Sequence, residues 1–248
     1  MAKQLLIYES AVPLSAARHA GMSIEAKGTY GFSAGINALP LMALEFVRAC
    51  AEYPIVFAAE GDDVMPAVVL GVRNGQNLYL SADDRWTADY VPAFVRRYPF
   101  VFSSTDAGKS LALCIDESYP GLNREGRGNA LFGDDGKPTE YTQKVLEFLK
   151  EFQAHFERTR TFGRQLKELD LLEPMQANVT TPKGEKIALG GFLVVSREKL
   201  RALDGEKLQQ LVRNDGLELI YLHLTSMRNF NALKDRFVAS LEAAVAAA

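Results

Sequence analysis

The sequence predicts an α+β protein with a mostly antiparallel sheet, and three observations carry that prediction. An apolar run, Tyr53-Pro54-Ile55-Val56-Phe57, returns as Tyr98-Pro99-Phe100-Val101-Phe102, and the likeness continues without a gap from Tyr53–Val72 to Tyr98–Glu117. Each copy reads as strand, polar turn, strand, the pattern of a β-hairpin. Each copy also follows a helix-like segment carrying Phe-Val-Arg, at Phe46-Val47-Arg48 and at Phe94-Val95-Arg96. Finally, the stretches after Pro138 and after Ser196 repeat apolar residues every three or four positions, as helices covering a sheet do.

Taken in order, the chain opens with a candidate strand at Leu5–Tyr8 inside an Ala-, Gly- and Ser-rich arm, residues 1–37. A single α+β domain is expected over 38–248, with the internal duplication 39–72 and 88–117. Leu39–Glu52 is predicted helical, with Leu41, Leu44, Val47 and Ala51 near helical spacing, Pro40 in its first turn and Pro54 as its stop. Ile55–Ala59 and Ala67–Val72 should pair across Glu60-Gly61-Asp62-Asp63. The gapless alignment sets Ala67-Val68-Val69-Leu70 on Ala112-Leu113-Cys114-Ile115, with Pro66 opposite Leu111. Asn74-Gly75, a strong hairpin signal, should lead into a further strand at Asn77–Ser81. Ala88–Arg97 is predicted helical and, because it contains Pro92, is either short or begins near that proline.

Tyr119–Gly136 holds six glycines or prolines and is predicted to be a loop. Pro138 opens the longest helix, with Tyr141, Val145, Phe148, Leu149, Phe152 and Phe156 on one face and a break at Thr159–Thr161 and Gly163. Met175–Thr181 and Lys186–Val195 flank a Pro182-Lys183-Gly184 turn and suggest a third ribbon. The remainder is predicted helical, with Ser196 and Asp204 as N-caps and a stripe through Leu217, Ile220, Tyr221, Leu224, Leu233 and Phe237.

Composition narrows the function. The 248 residues are 48% hydrophobic and 24% charged, with a formal net charge of −3. No Lys/Arg run makes a polyanion surface, so nucleic acid is not an expected partner. No stretch approaches the ~20 apolar residues that span a bilayer, and Glu9 cuts short the only N-terminal apolar run. A cytoplasmic, membrane-free protein is expected. Cys50 and Cys114 both sit in apolar runs, where reduced, buried thiols are expected.

Few residues carry chemistry. Asp106-Ala107-Gly108-Lys109-Ser110 ends like a phosphate loop, but Ser103 stands where its first glycine belongs, and the segment joins two strands. Cys114, Asp116 and His223 are the residue types of nucleophile, orienting acid and base, although Cys114 aligns with apolar Val69. His19, His155 and His223 have no second ligand at metal spacing, so no metal site and no cofactor are expected. Arg96, Arg97 and Tyr98, with Trp86 upstream and Asp116-Glu117 at the strand end, form the more specific candidate. Two arginines at a helix end complement its dipole; they also suit a carboxylate or phosphate. An arginine turned toward Asp116 or Glu117 would fix this corner, leaving the other for an anion.

Several blocks together resemble the SapC family of bacterial surface-layer gene clusters. They are Pro40-Leu41 with Glu45-Phe46 and Tyr53–Phe57; Tyr90-Val91-Pro92-Ala93 with Arg96–Phe100; Cys114-Ile115-Asp116; Leu131-Phe132 with Gly136-Lys137-Pro138-Thr139; and Gly191-Phe192 with Tyr221-Leu222-His223-Leu224 and Ser226. The resemblance covers roughly residues 30–235 and implies no established reaction or catalytic residues. The sequence therefore points to a binding or accessory protein in a surface or carbohydrate-related pathway. An enzyme acting on a small anion at the Arg96/Arg97 corner and a surface-layer component are the alternatives. Partners would be a small anionic ligand or a protein, and self-association stays open.

Overall fold

The computed structural model describes residues 6–105, 110–180, 184 and 186–246. In chain order these form β1 (Ala11–Pro13), α1 (Ala16–His19), β2 (Ser23–Ile24), β3 (Ala38–Pro40), α2 (Phe46–Ala49), β4 (Ile55–Glu60), β5 (Asp63–Val69), α3 (Ala93–Arg96), β6 (Phe100–Thr105), β7 (Ser110–Asp116), β8 (Leu122–Asn123) and β9 (Asn129–Ala130). The long helix α4 (Glu140–Glu168) follows, then β10 (Leu172–Thr180), β11 (Lys186–Val195), α5 (Arg197–Arg201), α6 (Gly205–Arg213), α7 (Gly216–Ser226) and α8 (Asn229–Ala246). The strand pairings are antiparallel, and the class is α+β.

The chain divides into two compact units. The first takes the residues up to Tyr30 together with Ala93–Ala154; the second takes Gly31–Pro92 and the chain from His155 onward. The stretch expected as an arm thus gives the first unit β1 and β2.

The first unit holds two three-stranded sheets, β1-β7-β6 and β8-β2-β9. Ile24, Phe100, Ile115, Leu131 and Leu149 form its buried core. The Tyr119–Gly136 stretch supplies β8 and β9, and Asn123 braces it by donating to the carbonyls of Gly121 and Arg127 and accepting from the amides of Glu125 and Arg127.

The second unit is built on the five-stranded order β10-β11-β4-β5-β3. Its core includes Phe57, which meets Phe162 of α4 and His223 of α7. β4 joins β11 through the pair Leu193 and Phe57.

The two repeated hairpins lie in different units and share more than the sequence shows. In each, the second strand carries an outer strand on its far side: β3 beside β5, and β1 beside β7. Ala38-Leu39-Pro40-Leu41 and Ala11-Val12-Pro13-Leu14 make the same contacts. Val68 lies between Leu39 and Ile55, as Ile115 lies between Val12 and Phe100. Leu41 N–H donates to Pro66 O and Leu14 N–H to Leu113 O. This register differs by two residues from the gapless alignment, setting Cys114 at the position of Ala67 and Asp116 at that of Val69. The cause is turn length: the first hairpin closes at Glu60 and Asp63, the second at Thr105 and Ser110, with two more residues between.

Other expectations change. Ala38–Pro40 is a strand, and helical turns begin only at Ala43. The edge position tolerates Pro40, and the shortened helix buries Phe46 while leaving Leu44 and Val47 exposed. Asn77–Ser81 forms no strand, because the Asn77 side chain competes for the local backbone: it donates to Ser33 O and accepts from Tyr79 N–H. Helix α4 runs unbroken through Thr159 and Gly163. Thr159 bonds back to His155 O and accepts from Ala43 N–H. At Gly163 the helix lies on β5, where an added Cβ would stand 1.9 Å from the Val64 carbonyl oxygen.

That contact generates a test. Gly163→Ala gains helix propensity of up to about 1 kcal/mol, but its methyl would have to displace strand backbone, costing about 3 kcal/mol. A lower urea midpoint is expected; an unchanged or higher one would show that α4 and β5 do not meet here.

Candidate functional site

The arginine corner predicted from the sequence lies in the first unit, except for Trp86. Arg97 is turned inward and only 3% exposed. Its guanidinium lies 4.1 Å from the Phe94 ring centre, 4.8 Å from that of Phe152 and 5.7 Å from that of Tyr8. Burial pushes its pKa down, and the Tyr8 hydroxyl that accepts from it opposes that shift. Tyr8 in turn donates to Phe100 O at 2.7 Å. Arg96 is exposed and passes over the Phe148 ring.

Asp116 is fully buried and serves the arm. It accepts from the amides of Glu9 (2.8 Å), Ser10 (3.0 Å) and Ser118 (3.0 Å), and from the Ser118 hydroxyl at 2.7 Å. Burial alone would raise its pKa; those donors hold it below the ordinary value. Burial also raises neighbouring Tyr98 to about 12, with Asp116 adding to the effect. Glu117 pairs with Arg18, whose Nε and Nη2 reach it at 2.6 and 2.5 Å. Trp86, in the second unit, donates from Nε1 to the Tyr53 hydroxyl at 2.7 Å.

The nucleophile, acid and base candidates are each held by structure. Cys114 is buried in β7, and burial raises its thiol; Cys50 is half-buried, and both cysteines are unpaired. His223 belongs to the second unit, where Val195 N–H donates to Nε2 at 3.1 Å and Nδ1 lies 2.8 Å from Ile55 O. Since Nε2 accepts, Nδ1 carries the proton and donates to Ile55. The Leu193–Phe57 register would set Val195 opposite Ile55, so the imidazole stands where a direct strand pair would form. Burial pushes its pKa down to about 4. The Asp106–Lys109 part of the phosphate-loop-like string lies outside the described residues. Among the described residues, no three His, Cys, Asp or Glu side chains gather as metal ligands.

A different cluster emerges in the second unit. Arg160, Arg164 and Lys167 share one face of α4 and line a hollow of about 790 Å³ with Asp62, Asp63 and Glu168. Arg160 Nε and Arg164 Nε each donate to one oxygen of Asp63 at 2.6 Å. Lys167 Nζ donates to the Asp62 carbonyl at 2.7 Å. Arg164 Nη2 also reaches Asp63 at 3.4 Å and Arg160 Nη1 reaches Glu157 at 3.4 Å, so a ligand would meet the remaining N–H groups of these five-donor guanidiniums. The Arg164 and Arg160 hydrogen bonds lower the Asp63 pKa to about 2, keeping it ionised at ordinary pH.

This cluster was missed in the sequence, although its signal is there: cations at 160, 164 and 167 repeat at helical spacing. Its carboxylate partner lies 97 residues from Arg160, which no local pattern reveals.

Compared with known proteins, the chain matches the family model described as SapC over residues 14–233. No curated protein and no solved structure matches.

Two outcomes follow from this geometry. Arg97→Ala empties an aromatic slot and strips Tyr8 of its donor, and should cost about 3 kcal/mol; Arg96→Ala should cost less than about 1 kcal/mol. Urea unfolding measures both, and equal midpoints would refute the buried placement of Arg97. For His223, the unfolded chain takes up a proton near pH 6.5 that the native state refuses until about pH 4. The His223 contribution is therefore intact above pH 6.5 and falls with decreasing pH by about 1.4 kcal/mol per unit, about 3 kcal/mol in all. Comparing His223→Gln with the parent at pH 7.5 and 4.5 isolates this, since other groups titrate in both. Equal pH slopes would contradict it.

Proposed function

The chain belongs to the SapC family, and we propose that it is a non-catalytic binding protein for a small anion. The observation that carries this reading is the placement of Arg160, Arg164 and Lys167 around one open hollow, with Asp63 already seated in it as an internal anion. A ligand phosphate or carboxylate would meet donors oriented for that chemistry. The arginine corner supports anion binding less, because Arg97 is taken into the interior. The non-catalytic part rests on Asp116 and His223, whose polar atoms serve the backbone. The unpaired cysteines favour a reducing, cytoplasmic setting. A role in a bacterial surface or carbohydrate-related pathway rests on the family alone.

Titration calorimetry with inorganic phosphate at low ionic strength, where screening is weakest, tests the proposal. Arg164→Gln should weaken binding at least ~10-fold, the worth of one charge-assisted hydrogen bond. Asp63→Asn, which removes the internal competitor at constant shape, should strengthen it several-fold. Absence of phosphate binding, or weaker binding by Asp63→Asn, would rule the site out.

A further inference from the structure

The basic hollow does not end at its charges. It shares Asp63 and Lys167 with a second hollow of about 240 Å³, whose other walls are Ala59, Gly61, Val64, Asp170, Leu172 and Leu193. Beside the three cations there thus lies a short channel with largely apolar walls, the second hollow.

β11 bulges at Gly190-Gly191, opposite the register shift between Met175 and Ala177 in β10. Gly191 has a φ of +84°, which favours glycine. The bulge lies two residues from Leu193, which pairs with Phe57 and lines the second hollow.

Resting on the anion site proposed above, we infer that the ligand is an anionic amphiphile: a phosphate or carboxylate head on a short aliphatic chain. The head is held by Arg160, Arg164 and Lys167, and the chain lies along Ala59, Val64, Leu172 and Leu193. The second hollow has room for about eight waters, each taking about 30 Å³; a chain of about six carbons would displace most of them. Each methylene removed from water should tighten binding about fourfold.

Calorimetry on the intact chain, comparing inorganic phosphate with monomeric hexyl phosphate, tests this. Hexyl phosphate should bind at least ~10-fold more tightly. Ala59→Leu, at an exposed position, should abolish that gain by filling the channel while leaving phosphate affinity unchanged, and Leu172→Asn should reduce it independently. If phosphate binds and hexyl phosphate binds no better, the amphiphile inference fails and the anion site stands. If neither binds, both fail. A gain that survives in Ala59→Leu also overturns the inference. Vesicles containing phosphatidylglycerol distinguish the source: competition by the vesicles supports a lipid headgroup and its chain, and its absence alongside tight hexyl phosphate binding supports a free amphiphile.

Discussion

The second unit is organised around the seam where β4 and β11 meet at Phe57 and Leu193. On one side His223 stands between Ile55 and Val195, accepting from one strand and donating to the other. Neighbouring side chains extend the arrangement. Ser226 accepts from Ile55 N–H, and Asn229 donates to the carbonyls of Cys50 and Tyr53. Three polar residues from the α7–α8 region thus satisfy backbone groups that would be costly to bury unpaired. On the other side β11 bulges at Gly190-Gly191, and the second hollow lies against Ala59 and Leu193.

A second constraint sets the charged end of that hollow. Gly163 lets α4 rest on the carbonyl of Val64, closer than any side chain would permit. Arg160 and Arg164 flank Gly163 along the helix, and Asp63 immediately precedes Val64. The glycine contact therefore brings both guanidinium groups onto one carboxylate. Seam and contact together set the apolar walls at Ala59 and Leu193 next to the three cations of α4.

Much of the fold was legible in the sequence because hairpins and helices announce themselves locally. The two ribbons, the long α4 and the C-terminal helices all follow from periodicity and turn residues. The outer strands β1 and β3 were not legible: three residues ending in proline give no period, and Pro40 reads equally well as a helix opening. The two-residue difference in register was hidden because an alignment without gaps cannot show unequal turns. Among site residues, His223 had the residue type of a base, but both its ring nitrogens serve the backbone, because it replaces a strand pair. Gly163 was read as a helix breaker; its role is set by a strand about one hundred residues earlier. Arg97 was expected to complement a helix dipole or meet an anion, and it lies inside because Phe94 and Phe152 form a slot for its flat guanidinium.

The central claim is that the hollow beside the β4–β11 seam and the cations of α4 form one binding site. Amide NMR of the isotopically labelled chain during titration with hexyl phosphate tests it most directly, because it reports on both units at once. The account predicts shifts concentrated at Gly61–Val64, along Arg160–Lys167 and at Leu172 and Leu193. Perturbations centred on Phe94–Tyr98 and Asp116, with none along the seam, would contradict it and return the ligand to the arginine corner.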